Sequence, residues 1–397
     1  MRVAALLGLL LVTSSVGAQA RLGPLEKRPR LAAGIDTNDA AAYFSLGIRM
    51  LEDRPDEAAA AFYWAARLDP SSADAIAGRR AALLMRKVPV LKLYMEGGRR
   101  ARASKELQAM DTMQLRALRL DPLYYRKYDH AMLMSYYRTE LRRDYPTASP
   151  VEIDQAIRDY LTSGSDYMRG WVAYSEGRKP AALTAYDLAL QKAKNKGYIR
   201  IERARVYTMQ GTLPNAIAEF RLAAEDLRKV EEDKDEAVVF YNNKAIVEHS
   251  LGVLYARLAQ NDSAKAALGR AITEDLSYFA AHLELGKLAL AERDTATALS
   301  EFGIAAELAT DEPFVHYMHG NTLLAAGQPA DAVTALKKAV ALEPFFADSH
   351  FALAQALERT GDKAGAQAAY TQFLAVAPRR DVQRRAVAAD RAAGLRQ

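Results

Sequence analysis

The sequence contains no cysteine, and its 397 residues include only six histidines and two tryptophans. No disulfide can therefore support the fold, and no lipid-modified cysteine can attach the chain to a membrane. Charge of either sign is nearly balanced, with 54 lysines and arginines against 49 aspartates and glutamates. The net charge of +5, one unit lower without Arg2, is too small to indicate a nucleic-acid partner by itself.

Long apolar runs are missing after residue 20, so we expect no membrane-spanning anchor. The first twenty residues differ, because Arg2 precedes ten apolar residues at 3–12 and Ala-Gln-Ala follows at 18–20. This order predicts a secretory signal peptide, residues 1–20, cleaved before Arg21. We therefore expect a periplasmic or secreted bacterial protein.

Catalytic signatures are also missing. The sequence has no nucleophile elbow, no phosphate-binding glycine loop and no metalloprotease helix motif. Gly97 and Gly98 precede arginines but follow no predicted strand, so they do not indicate a phosphate loop. We predict no catalytic residue, no cofactor and no metal site, and we expect that the protein is not an enzyme.

What the sequence does have is a spacing of 34 residues. Two rows of small residues follow it: Gly252, Gly286, Gly320 and Ala354, and Ala264, Ala298, Ala332 and Ala366. Within each period, apolar residues recur at helical spacing in two runs. Between the runs, a left-handed residue that closes the first helix is expected at Gly177, Gly211, Gly327 and Gly361. The pattern predicts stacked helical hairpins and an all-α solenoid.

The spacing and its residues resemble the tetratricopeptide repeat, whose pattern is W-x2-L-G-x2-Y and then A-x3-F. One first helix carries Leu251, Gly252 and Tyr255, and one second helix carries Ala298 and Phe302. The resemblance implies an all-α superhelix of about seven to eight helical hairpins. Full repeats are predicted at 163–196, 197–230, 245–278, 279–312, 313–346 and 347–380, with another at 40–70 and a weak one from Ser71.

Other segments do not follow the period. We expect a flexible leader at 21–38, N-terminal repeats at 39–104, a non-repeat helical insertion at 105–162, a charged insertion at 231–244 and a C-terminal capping helix at 381–397. The 163–230 region then holds two repeats, and 245–380 holds four in register. The insertion is expected in three helical pieces: Leu107–Leu120, Tyr124–Arg143 and a third that opens with a capping box at Ser149 and Glu152.

Residues 71–145 hold sixteen lysines and arginines against eight aspartates and glutamates. Tyrosines are interleaved with the basic residues of the insertion, a pattern that can bind single-stranded nucleic acid and, by the same charge logic, anionic glycans or lipids. Export argues against nucleic acid. In the other interpretation the tyrosines pack against neighbouring helices, and arginine stems cover them.

His282, His316 and His350 also lie 34 residues apart. A row of histidines can bind metal or respond to pH. Equivalent residues of stacked repeats lie about 10 Å apart, however, which is the helix-packing distance, and ligands of one ion must lie much closer together. We therefore expect these histidines to be packing residues.

In the repeat family that the sequence resembles, the first helices line a concave groove and five positions of each contact the ligand. Carried onto this chain, these positions predict a groove that is aromatic and aliphatic, with a few cations. The predicted groove residues are Tyr167, Trp171, Tyr174, Tyr198, Ile201, Arg205, Arg257, Lys287, Tyr317, Asn321, Phe351, Gln355 and Arg359. The other interpretation is that each packs against the next repeat. Of the Lys and Asn positions that hold acidic chaperone tails in this family, only Asn321 is matched, so that ligand is not favoured.

The sequence thus favours an exported, non-enzymatic scaffold that binds a protein or peptide partner in its groove, in cell-envelope assembly or secretion. An alternative is a binder of anionic glycan or lipid through residues 71–145, in polysaccharide export or wall assembly. A third hypothesis is an enzyme with an unrecognised site in 105–162.

Overall fold

The computed structural model describes residues 25–96, 104–123, 128–229 and 243–395, and within these ranges it is all-α, with twenty helices and no strand. In chain order they are α1 Ala40–Met50, α2 Pro55–Leu68, α3 Ala73–Met85, α4 Val88–Glu96, α5 Lys105–Leu120, α6 Asp129–Asp144, α7 Pro150–Ser163, α8 Asp166–Ser175, α9 Lys179–Lys192, α10 Gly197–Gln210, α11 Leu213–Arg228, α12 Lys244–Arg257, α13 Asn261–Glu274, α14 Phe279–Ala291, α15 Thr295–Leu308, α16 Pro313–Ala325, α17 Pro329–Leu342, α18 Ala347–Arg359, α19 Lys363–Val376 and α20 Val382–Gly394. The all-α superhelix is confirmed. Within the described ranges, no helix combines the length and the apolar character needed to span a membrane. The predicted signal peptide lies outside them.

Local signals set the helix ends. The capping box predicted at Ser149 is present, since its hydroxyl accepts from the Glu152 N–H and the Glu152 carboxylate accepts from the Ser149 N–H. The glycines expected to close first helices all have positive φ: Gly177, Gly211, Gly327 and Gly361. These bonds and turns satisfy backbone groups that helix ends leave unpaired.

The rows of small residues are explained by contact within each hairpin. A Cβ added to Gly286 would lie 2.6 Å from a ring carbon of Phe302, and one added to Gly252 would lie 2.6 Å from Leu268 Cγ. Ala298 in the facing helix is fully buried. The period therefore records positions where two helices approach too closely for a larger side chain.

The N-terminal region also contains two hairpins, but its second one is interrupted. Helices α1 and α2 pair directly, whereas α3 pairs with α5 across residues 86–104. Leu107, Met113 and Ala117 of α5 share one buried core with α3. Helix α5 was expected to open the non-repeat insertion, and in the structure it packs on α3, the helix that follows Ser71. The repeat pattern did not predict the pairing of α3 with α5, because 19 residues separate the two helices.

The remaining part of the predicted insertion is the hairpin α6–α7. Its Leu133 and Ile157 form a buried cluster with Trp171 of α8. From there the hairpins stack in order to the capping helix α20, which packs on α19. We call residues 25–123 the N-arm and residues 166–395 the C-arm.

The N-arm folds back along the C-arm. In order along the C-arm, the contacting pairs are Ser250 with Pro122, Phe279 with Arg119, Glu312 with Arg116, Glu343 with Arg67, Phe345 with Trp64, and Ala375 with Asn38. Residue numbers rise along one arm while they fall along the other. The two arms are therefore antiparallel, and the hairpin α6–α7 lies between them in sequence.

The segment expected to be a flexible leader is held in place over residues 25–38. It forms no helix, yet the Glu26 carboxylate accepts from Arg79 at 2.8 Å, and Asn38 Nδ2 donates to the Ala375 carbonyl at 2.8 Å. The Asp36 carboxylate also accepts from the backbone N–H of Arg379. Composition predicted the lack of helix correctly, but it could not show these side-chain contacts with distant parts of the chain.

Candidate functional site

The first helices of the C-arm differ between their two ends. The residues at or just before their N-terminal ends lie against the N-arm, and we call Tyr278, Phe279, Glu312, Glu343 and Phe345 the covered edge. The residues toward their C-terminal ends that the sequence predicted as groove are Arg257, Lys287, Asn321, Gln355 and Arg359, which we call the open strip. Arg257, Asn321 and Arg359 are exposed, and Lys287 and Gln355 are half-buried.

A buried ion pair holds the middle of the covered edge. Arg116 in α5 donates from Nε and Nη2 to the two Glu312 oxygens, both at 2.7 Å. The side chains are only 9% and 1% exposed. Burial alone would lower the pKa of Arg116, but the adjacent carboxylate outweighs burial and the pKa is raised. Removing either the guanidinium or the carboxylate would destabilise the fold, since the remaining group would be an uncompensated buried charge.

A second pair repeats this arrangement one repeat farther along. Arg67 Nε donates to both Glu343 oxygens, at 3.0 and 2.9 Å, and its Nη1 donates to the Tyr63 hydroxyl at 2.8 Å. Burial raises the pKa of Glu343, and Arg67 opposes that shift. Trp64 packs edge-on against Phe345 with ring centroids 4.9 Å apart. Each N-arm hairpin therefore contributes one arginine to a carboxylate of the covered edge.

His249 is buried where the end of α5 meets α12. Its Nδ1 lies 3.0 Å from the Tyr278 hydroxyl, and Arg119 lies 6.0 Å from the Tyr278 ring centroid. Burial lowers the pKa of His249 to about 4. The imidazole is therefore neutral at physiological pH and acts as part of the packing.

The sequence did not identify the residues of the covered edge or their N-arm partners. One signal was available, since Phe62, Tyr63 and Trp64 are consecutive and cannot share one face of a helix. All three are buried, at 2% exposure or less. Such a run indicates a helix covered on several sides, as α2 is by its own hairpin and by the C-arm.

The aromatic groove residues of the first regular repeat lie inside the structure. Trp171 is 6% exposed, packs in the cluster with Leu133 and Ile157, and lies 6.0 Å from the His130 ring. Tyr174 is 3% exposed and donates to the Met209 sulfur. The hairpin α6–α7 thus covers Trp171.

The next groove residues are similarly enclosed. Ile201 is buried, and buried Arg205 donates to Glu202 at 2.7 Å. Tyr167 is half-buried, with its ring 5.9 Å from that of Tyr186, and Tyr198 is half-buried in the adjoining core cluster. In the repeats at 163–196 and 197–230, these side chains therefore make packing contacts with neighbouring helices and residues.

Two groove residues of the last repeats contact other aromatic rings. Tyr317 lies edge-on to Phe346 with centroids 5.1 Å apart. Phe351 lies 4.9 Å from Phe373, and the Arg384 guanidinium lies 5.8 Å from the Phe351 ring. Both residues are half-buried, so each keeps part of its side chain accessible.

The open strip itself is cationic and amide-rich. Lys287 donates to Glu284 at 2.7 Å and lies 5.7 Å from the Phe314 ring centroid, and Arg359 donates to the Leu324 carbonyl at 2.8 Å. Lysine and arginine each have several donors, so these bonds leave further N–H groups at the surface. The strip can therefore donate hydrogen bonds to acidic or carbonyl groups of an extended chain.

Much of the basic charge in residues 71–145 is engaged within the protein. Lys87 pairs with Glu106 at 2.6 Å, and Arg138 pairs with Asp154 at 2.7 Å and Glu52 at 2.8 Å. Arg116 is buried against Glu312, as described above. Five basic residues lie outside the described residues: Arg99, Arg100, Arg102, Arg126 and Lys127. In the described part, internal pairing thus offsets much of the local surplus of positive charge.

Each of the spaced histidines contacts a nearby part of the chain: His282 contacts the second helix of its own repeat, and His316 and His350 contact the loops that precede their repeats. His282 Nδ1 lies 2.8 Å from Glu301, and the Nε2 atoms of His316 and His350 lie 3.0 and 2.9 Å from the carbonyls of Thr310 and Pro344. Across the described ranges, no three His, Asp or Glu side chains are arranged to hold a metal ion. These contacts are those of packing residues.

The repeat region is similar to known proteins. The family model described as tetratricopeptide repeat matches residues 167–229, 249–313 and 317–390, together about half of the chain. No curated protein matches the sequence.

Several solved structures are similar. The C-terminal part of a TPR repeat-containing protein from Cytophaga hutchinsonii is 16% identical, with a TM-score of 0.43, over 53% of this chain and 78% of that chain. YrrB, described as a TPR protein with an unusual peptide-binding site, is 16% identical, with a TM-score of 0.39, over 49% and 92%. The MamA protein is 21% identical, with a TM-score of 0.36, over 45% and 90%.

Proposed function

Because the chain belongs to the tetratricopeptide repeat family, whose fold is typical of protein-interaction scaffolds, we propose that it is an exported scaffold that binds a protein or peptide segment along the open strip. The observation that carries this proposal is the contrast between the two ends of the same helices. The N-arm covers the starts of the C-arm first helices, whereas Arg257, Asn321 and Arg359 near the other ends are exposed.

The chemistry of the strip favours an acidic, extended segment. Three of its five side chains are cations, and the amides of Asn321 and Gln355 can both donate to and accept from a peptide backbone. First helices of neighbouring repeats lie about 10 Å apart, and an extended chain advances about 3.3 Å per residue. A segment of about ten residues therefore spans the four repeats.

Half-buried aromatic rings beside the strip add apolar contact. Tyr317 and Phe351 pack against the rings of Phe346 and Phe373 and keep part of their surface accessible. Tyrosine and arginine are among the residue types that most often dominate binding energy at interfaces. The preferred ligand thus has carboxylates with an apolar residue between them.

Export is the second part of the proposal, and it rests on the order of charges and apolar residues at 1–20. An exported scaffold would serve in cell-envelope assembly or secretion. The matched test is cell fractionation of the full chain and of a chain lacking residues 2–20. We expect only the full chain in the periplasm or medium, and equal retention of both in the cytoplasm would contradict export.

Site-specific photo-crosslinking tests the binding surface. A photoreactive residue at Asn321 on the open strip is compared with one at Lys338, an exposed position on the second helix α17. We expect partners captured from Asn321 and not from Lys338, and we expect Arg257→Ala with Arg359→Ala to reduce that capture. The same partners at both positions, or capture unaffected by the double substitution, would contradict the proposal.

A further inference from the structure

A second site lies where the leader meets both arms. Its walls are Tyr63, Trp64 and Arg67 of α2, Arg79 of α3 and Phe345 of the C-arm, and we call these five residues the junction site. The Arg79 guanidinium lies 4.3 Å from the Tyr63 ring centroid, and Trp64 packs against Phe345. These contacts join helix to helix and arm to arm, so the leader is not needed to form the walls.

The leader residues Glu26 and Arg28 fill this site. The Trp64 indole N–H donates to the Glu26 carbonyl at 3.0 Å, and Arg79 Nη2 donates to the Glu26 carboxylate at 2.8 Å. The Arg28 guanidinium lies 4.1 Å from the Trp64 ring centroid and 5.4 Å from that of Phe345. One carboxylate and one guanidinium, two residues apart, are each recognised by a different part of the site.

Arg79 shows how strongly the site favours a carboxylate. It is only 6% exposed, and its Nε and Nη1 atoms have no hydrogen-bond partner among the described residues. Burial lowers the pKa of Arg79, and Glu26 is the main group that opposes this shift. A buried guanidinium without a counter-ion is unfavourable, so an empty junction site would attract another carboxylate.

The leader itself is non-helical and partly exposed to solvent. It forms no helix, and Leu25 is 62% exposed. The Glu26 side chain is 37% exposed, whereas that of Arg79 is 7% exposed. The walls are therefore fixed by packing, while their ligand is an extended segment with one side in solvent.

We propose that the junction site binds extended Glu-x-Arg segments, that Glu26-Lys27-Arg28 is its intramolecular ligand, and that a partner protein with a segment of this chemistry displaces the leader. The same leader carries Asp36 and Asn38, which bond to Arg379 and Ala375. Displacement therefore also loosens the contact between the leader and the last repeat. This inference concerns the arm junction and does not depend on the open strip.

The test uses Trp64 as its own reporter. The chain has two tryptophans, so Trp171→Phe leaves Trp64 as the sole indole in the full-length protein. In this background, Glu26→Ala with Arg28→Ala is compared with Lys27→Ala, which changes an exposed residue between them. We expect acrylamide to quench Trp64 emission more strongly in the double variant than in the Trp171→Phe protein. The Lys27→Ala control should be quenched to the same extent as the Trp171→Phe protein. Unchanged quenching in the double variant would overturn the assignment of the leader as ligand.

Binding of a separate Glu-x-Arg segment is tested by adding a peptide of residues 25–31 to the double variant. We expect saturable protection of Trp64 from quenching, and none from a peptide in which Lys replaces the glutamate. No protection by the native peptide, or equal protection by both, would overturn the proposal. Circular dichroism checks folding. If the double variant loses helix, Glu26→Gln replaces it, because glutamine keeps the shape but removes the charge, and the same two outcomes apply.

Discussion

The covered edge and the open strip both lie within the four repeats at 245–380, yet their side chains are held by different kinds of contact. At the covered edge, Glu312 and Glu343 bind arginines that are 196 and 276 residues away in sequence. At the open strip, the bonds that Lys287 and Arg359 make to other described residues reach no farther than 35 positions along the chain. The comparison shows that a repeat array, whose units contact mainly their neighbours, acquires long-range structure through a few residues outside its period.

The largest expected difference between the two regions is in stability. Arg116→Ala leaves Glu312 buried and unpaired, and we expect it to lower the free energy of unfolding by about 3–5 kcal/mol. Arg257→Ala on the open strip removes an exposed side chain and is expected to change it by less than about 0.5 kcal/mol. Urea unfolding followed by circular dichroism compares the two. Equal, small effects would show that the covered edge is not a structural interface.

Buried His249, which contacts Tyr278 of the covered edge, is expected to make the stability of the protein depend on pH. Its pKa is about 4 in the folded protein, and an unfolded histidine has a pKa of about 6.5. Between these values the unfolded chain binds the extra proton, so stability that is present above pH of about 6.5 is lost as the pH falls toward 4. The loss is at most about 3 kcal/mol. Urea midpoints measured from pH 7 to 4 should fall less steeply for His249→Gln, and parallel curves would contradict the account.

The period itself is tested by a pair of glycines in one hairpin. An alanine at Gly286 brings a methyl group into Phe302 and is expected to cost about 1–3 kcal/mol. A Cβ added to Gly303 would lie 3.7 Å from His319 Nε2, an ordinary contact distance, so alanine there is expected to be neutral or to stabilise by up to about 1 kcal/mol. Thermal unfolding measures both variants. The reverse order would mean that the helix register is misassigned.

The smallest expected effects are those on binding by the open strip. For an acidic peptide of about ten residues, Arg359→Ala is expected to weaken binding by about two- to fivefold, which matches about 0.4–1 kcal/mol for an exposed charge pair. Lys338→Ala on α17 should leave the affinity unchanged. Fluorescence anisotropy measures both, and an equal loss in the two variants would indicate only a general effect of charge. Moderate salt should reduce the affinity gradually, whereas loss as steep as that of a polyanion complex would favour the glycan or lipid alternative.

Sequence reasoning succeeded where structure is local or periodic. The spacing of 34 predicted the hairpins of the C-arm, and the capping box at Ser149 and the left-handed glycines occur as expected. It failed for the course of the N-arm, because an arginine in α2 or α5 carries no local sign that its partner lies in a distant repeat. For the groove, position alone selected Trp171 and Arg257 together, although one is buried by α6–α7 and the other is exposed. Only the arrangement of the arms distinguishes them.

The antiparallel contact of the two arms is the central claim, and the absence of cysteine makes it directly measurable. Asp36 accepts from the Arg379 backbone N–H, so the two residues are neighbours, and we expect Asp36→Cys with Arg379→Cys to bring two thiols within the reach of a disulfide. The control pairs Asp36→Cys with Lys338→Cys on α17. Under mild oxidation of the full chain, we expect the first pair to form an intramolecular disulfide rapidly, seen as a mobility change on a non-reducing gel, and the control pair to form none. No disulfide in the first pair, or equal rates in both, would contradict the fold-back.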